Sequence, residues 1–229
     1  MNTRIRSLMA WSAALVCAFG ATPAQAQLRL PVNTLSADSF QTFSEDALAA
    51  YDLKGVTVTA KGNARAAADG SYRLPITELL IGPSKYVGMA GGVVKGGAVG
   101  SALLIARTSE ISGKRIGLTL ANFRTDYHGK RVLADVTPIG GKTTAGQAIY
   151  TFRVLRPIVL EPNAQGKFLM EEVLGDLRLT PESIASLVAA LELDEIDQAV
   201  LTEIDNGTLV QKIDLTPRAA VSAAPYVPL

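Results

Sequence analysis

Apolar and polar residues alternate along much of this chain, as in Val56 and Val58 against Thr57 and Thr59. A period of two is what a strand shows when one face is buried and the other meets water. Runs of this kind, rich in strand-forming residues, cover 55–59, 72–81, 115–120, 131–136, 148–155, 172–179, 199–204 and 208–213, with Gly, Asn, Asp and Pro between them. Ala102 to Arg107 opens as an unbroken apolar run, which predicts a strand covered on both faces. Asp69-Gly70, His128-Gly129 and Asp205-Asn206-Gly207 stand where hairpins need positive φ.

Two stretches change the period. Thr180 as N-cap and Pro181 at the first helical position precede Ile184, Leu187, Val188 and Leu191, an apolar stripe at three- and four-residue spacing. Ser44-Glu45-Asp46 opens a shorter helix through Ala47 to Tyr51, which Gly55 ends. The pattern predicts a mainly β domain, an antiparallel β-sandwich with two short helices packed on or between its sheets.

The beginning of the chain reads differently. Arg4 and Arg6, the apolar run Leu8 to Phe19 and the small-residue site Ala24-Gln25-Ala26 predict a secretory signal over 1–26. The expected organisation is then an N-terminal segment over 27–35, one β-sandwich domain over 36–216 and an Ala/Pro-containing tail over 217–229. No later apolar run is long enough to span a bilayer, so an exported product, periplasmic or secreted, is expected.

Composition then removes chemistries. Of the 229 residues, 22 are Lys or Arg and 21 are Asp or Glu, without a block of like charge, so no electrostatic footprint for nucleic acid is expected. The single cysteine, Cys17, falls inside the signal, which leaves the mature chain without disulfide, thiolate nucleophile or cysteine-ligated metal. His128 is the single histidine, so no multi-histidine metal site is expected. No Gly-x-Ser-x-Gly elbow occurs. Gly140-Gly141-Lys142-Thr143 lacks the earlier glycine of a phosphate-binding loop. The glycine-rich stretch 88–100 reads either as a binding loop or as a connection between strands. Asp126 with Asp135, Glu171-Glu172 and the acids of 194–197 are the carboxylates a hydrolase would draw on.

The run Arg115-Ile116-Gly117-Leu118-Thr119-Leu120-Ala121-Asn122-Phe123-Arg124-Thr125-Asp126, followed by Arg131-Val132-Leu133-Ala134-Asp135-Val136-Thr137, resembles exported bacterial β-sandwich domains of the HtaA-like type. Tyr72 to Thr77 and Leu177 to Ile184 extend the resemblance. It implies an envelope β-sandwich, and for haem-uptake members it implies haem bound through Tyr and His. Here Val93-Val94-Lys95-Gly96-Gly97 lacks the histidine that such members carry near a Gly-Gly pair. The expected function is therefore a non-enzymatic envelope or extracellular binding or structural module. It would have no catalytic residues, metal or resident cofactor, and its partner is not identified by the sequence. Haem or small apolar ligand binding is the alternative, with Tyr86, Tyr127 and His128 as candidate ligand-binding residues, and an envelope hydrolase using Asp126 and Asp135 is the second alternative.

Overall fold

The computed structural model describes residues 28–30, 32–82, 92–162 and 168–228. The predicted signal, Tyr86 and residues 88–91 of the glycine-rich stretch lie outside them. The described chain is predominantly antiparallel β, with three α-helices.

The long strands β7 (Gly92–Thr108), β8 (Arg115–Asp126), β9 (Arg131–Pro138), β10 (Thr144–Pro162), β11 (Phe168–Leu179) and β12 (Thr208–Pro217) pair in that order, and β2 (Leu35–Thr42) follows β12. The two ends of this sheet meet through one bent stretch. Its first half, β5 (Tyr72–Pro75), pairs with β2, and its second half, β6 (Glu78–Gly82), pairs with β7. At the bend Ile76 N donates to Ala37 O at 2.8 Å and Thr77 N donates to Gly97 O at 2.8 Å. The result is a nearly closed, barrel-like sandwich. Short strands complete its rim: β1 (Leu28–Leu30) on β6, β3 (Thr57–Gly62) on β7 and β4 (Arg65–Ala66) on β5. Inward-facing Leu103, Ile105, Leu118, Leu120, Ile149 and Leu177 belong to one continuous core.

The helices pack their apolar side chains into the same core. α1 (Glu45–Leu53) starts where Ser44 Oγ accepts from Ala47 N, and α2 (Pro181–Leu191) starts where Thr180 accepts from Ser183 N, as their sequences predict. α2 buries Ile184, Leu187 and Leu191. A third helix, α3 (Glu195–Glu203), replaces the strand expected over 199–204. Asp194 and Asp197 form its reciprocal capping box, and Lys54 pairs with Asp197 at 2.8 Å, so the acids near 194–197 are cap and anchor. Replacing Asp194 with alanine is expected to lower stability by about 1 kcal/mol, measured by urea unfolding.

Described residues on either side of 36–216 also contact the core and the sheet. Val32 is 1% exposed and packs in the core. Residues 218–228 form a strap along the outside of the barrel. Arg218 N donates to Thr34 O at 2.9 Å, Val221 N to Asn33 O at 3.0 Å and Asn63 Nδ2 to Ser222 O at 2.7 Å. Asn122 Oδ1 accepts from Tyr226 N at 2.8 Å, and its Nδ2 donates to Tyr226 O at 3.1 Å. The strap lies where β7 and β8 bulge together, with Gly100 at φ +87 and Asn122 at φ +56. A Cβ on Gly100 would stand 2.5 Å from Asn63 Nδ2 and 2.9 Å from Ala224 O. Gly100→Ala is thus expected to loosen the strap as well as strain the backbone, seen as faster proteolysis after residue 218.

Candidate functional site

Period-two alternation on neighbouring strands brings an unusual set of polar side chains inside the barrel. Thr125 on β8, Glu172 on β11, Gln211 on β12 and Ser39 on β2 are all buried, and Tyr127 follows β8 inward at the turn. The register sets Glu172 opposite Gln211, Gln211 opposite Ser39 and Ser39 opposite Leu74, a single level of the wall. Tyr127 donates its hydroxyl to Glu172 Oε2. Its ring meets Phe152 edge to face, with centroids 6.0 Å apart.

Glu172 is 2% exposed. Burial raises its pKa to about 7, and the hydrogen bond from Tyr127 opposes that shift. Burial, then the charge of Glu172, pushes the Tyr127 phenol well above its ordinary value. The phenol therefore keeps its proton, and the carboxyl is the group of this pair that titrates near neutrality.

Next to this cluster lies a cavity of about 30 Å³, with Gln41, Thr125 and Gln211 on its polar wall and Leu103, Ile105 and Leu120 on its apolar wall. A water needs at least about 10–15 Å³ of such space, so the cavity has room for one or two waters.

Tyr127 and His128 part company. Tyr127 is buried against Glu172, while His128 is exposed on the turn, its backbone N–H held by Asp126 Oδ1 at 3.1 Å. Tyr86 lies outside the described residues. Asp126 and Asp135 do not form a carboxylate pair. Asp126 is opposite Arg131, four residues along β9 from Asp135, which separates the two positions by about 13 Å at ~3.3 Å per residue. Glycosidase pairs need roughly 5–9.5 Å. Asp135 instead accepts from Asn122 Nδ2 at 2.8 Å and Gly146 N at 2.9 Å. Asp135→Asn is expected to destabilise the hairpin by about 1–2 kcal/mol, read from thermal unfolding.

Glu171 and Glu172 face opposite ways, Glu171 meeting Arg156 and Lys212 outside the barrel. Gln211 is the site residue that sequence reasoning passed over, and Glu172 was read only as one half of a Glu171-Glu172 carboxylate pair. Parity held the signal: Met170, Glu172 and Leu174 occupy alternate positions of one strand. Residues 92–100 of the glycine-rich stretch belong to β7, so this part is strand and not loop. Gly141 closes an exposed turn through Pro138 O. Among the described residues no group of three or more metal-ligating side chains occurs, and no helix is long and apolar enough to cross a membrane.

No family model matches the chain, and no curated protein matches it. Among solved structures it is similar to the C-terminal domain of HtaA from Corynebacterium glutamicum, at 11% identity and a TM-score of 0.46, over 80% of this chain and 98% of that one. This is a likeness of architecture, and no residue role is taken from it.

Proposed function

We propose that the protein is an exported, non-enzymatic binding or structural module of the cell envelope that carries no resident prosthetic group. The observation behind this reading is the separation of Tyr127 from His128, the phenol buried in the wall and the imidazole exposed on the turn. Tyr127 is engaged by Glu172 within the wall, His128 is exposed on the turn, and the adjoining cavity has room for one or two waters. What solvent meets instead is surface. β10 runs beyond β9 after Thr151 and exposes Arg153, Val154, Leu155 and Arg156, with Leu155 57% exposed. Among the described residues no strand covers this edge, and bulges and Pro157 break it against strand addition, so contacts there would be made by side chains.

Export rests on the pattern of residues 1–26. Expressed with these residues in a bacterial host, the chain is expected in the envelope or the medium with Gln27 as its first residue, identified by intact-mass analysis. Full-length chain retained in the cytosol would overturn that part of the reading.

A further inference from the structure

Glu172 has no role in the proposed surface function, yet a carboxyl inside a barrel wall is costly unless something is gained from it. We propose that Glu172 acts as a proton-operated latch on the mouth of the barrel: protonated, it stays buried in the wall beside Tyr127 and the β8–β9 turn, and once ionised without a counter-ion it draws water in past that turn, against the hydrogen bond from Tyr127.

The geometry supplies both halves of such a latch. Tyr127 is the first residue of the 127–130 turn, so its ring and hydroxyl tie the turn to β11 across the interior. Phe152 N donates to Lys130 O at 3.1 Å, and β10 leaves β9 just there, so the turn lies at the rim where pairing stops. The cavity beside Gln211 and Thr125 gives entering water somewhere to go.

The charges around Glu172 leave its ionised form without a counter-ion. On β11, Glu171 is turned outward to Arg156 and Lys212. On β12 the residue opposite is neutral Gln211. On β2, Asp38 is occupied by Arg73 and Arg218. On β7, Lys95 is exposed opposite Asp126, and Glu78 of β6 lies beside Gly97. At the turn, Asp126 caps the backbone of exposed His128 and of Gly129. Among the described residues no cation reaches Glu172 from these elements.

The direction follows from linkage. Glu172 holds its proton more tightly in the closed barrel than when hydrated, so closure is favoured at low pH and loses ground as pH rises toward about 7, levelling off above it. Hydrogen exchange of the full chain, in peptides covering 123–133 and 150–154, reads this directly. After correction for the intrinsic rate, opening is expected to become about tenfold more frequent between pH 6 and pH 8. Glu172→Gln keeps the shape and removes the proton, so its profile is expected to be flat. His128→Gln, which removes the nearby imidazole, is expected to keep the wild-type profile. Tyr127→Phe removes the donor to the carboxylate and is expected to move the transition to higher pH. A pH dependence surviving in Glu172→Gln, or lost in His128→Gln, would overturn the latch. Thermal unfolding at pH 6 establishes that each variant is folded before exchange is compared.

Discussion

Arg218→Met is expected to lower the unfolding free energy by about 3–5 kcal/mol and to release the start of the C-terminal strap. The guanidinium is nearly buried. It donates to Asp38 Oδ1 at 2.8 Å and to Ile76 O at 2.9 Å, the carbonyl at the bend that joins β5 to β6. Removing it leaves the carboxylate of Asp38 in the wall with only Arg73, a partner 45% exposed and screened by solvent. An orphaned buried charge costs more than the pair was worth. Arg218→Met combined with Asp38→Asn is therefore expected to recover part of the loss, since no uncompensated charge remains. Urea unfolding of the two single variants and the double variant measures this coupling, and strict additivity would show that the pair is not a unit.

Asn122→Ala is expected to cost about 3–4 kcal/mol. One side-chain amide serves four partners: its oxygen accepts from Gly100 N and Tyr226 N, and its nitrogen donates to Asp135 and Tyr226 O. Alanine leaves several of these buried or half-buried groups unpaired, at about 1–3 kcal/mol for each one that water cannot reach. It also loses the tolerance of asparagine for positive φ, which is +56 here. Asn122→Gly is expected to recover about 1 kcal/mol through the backbone and nothing through the amide. The same denaturation experiment, with limited proteolysis of residues 219–228, separates these contributions.

These two residues explain why the end of the chain read as a tail. The strap exposes Ala223, Ala224 and Pro225 and is held mainly through its main chain, so its own side chains carry no periodic signal. The strands from β8 to β12 were legible because one face is apolar and the other wet. β2 was not: its inward positions include Ser39 and Gln41, which line the polar wall of the cavity and hide the alternation. The first half of β7 was obscured by its glycines, of which Gly97 and Gly100 stand where Glu78 and the strap come close. α3 was misread as a strand because Val200 and Leu201 look strand-like, although Ile196, four residues before Val200, and the Asp194 to Asp197 spacing are helical signals. For the site, Tyr127 was singled out from its place beside His128, but a hairpin turn separates neighbours that sequence sets together. Its true partner lies 45 residues away on β11, which only the strand register could reveal.

Tyr127 and Glu172 are sealed in the barrel wall, apart from exposed His128, and the molecule is proposed to work through its surface. A haemin titration of the purified chain, followed by absorbance and by the thermal midpoint, tests this most directly, because a ligand that binds only the folded state must raise the midpoint. The expected result is no saturable Soret change and no stabilisation, with Tyr127→Ala and His128→Ala differing from wild type only in stability. A saturable Soret band that raises the midpoint and disappears in either variant would contradict the account and place Tyr127 or His128 on a bound haem.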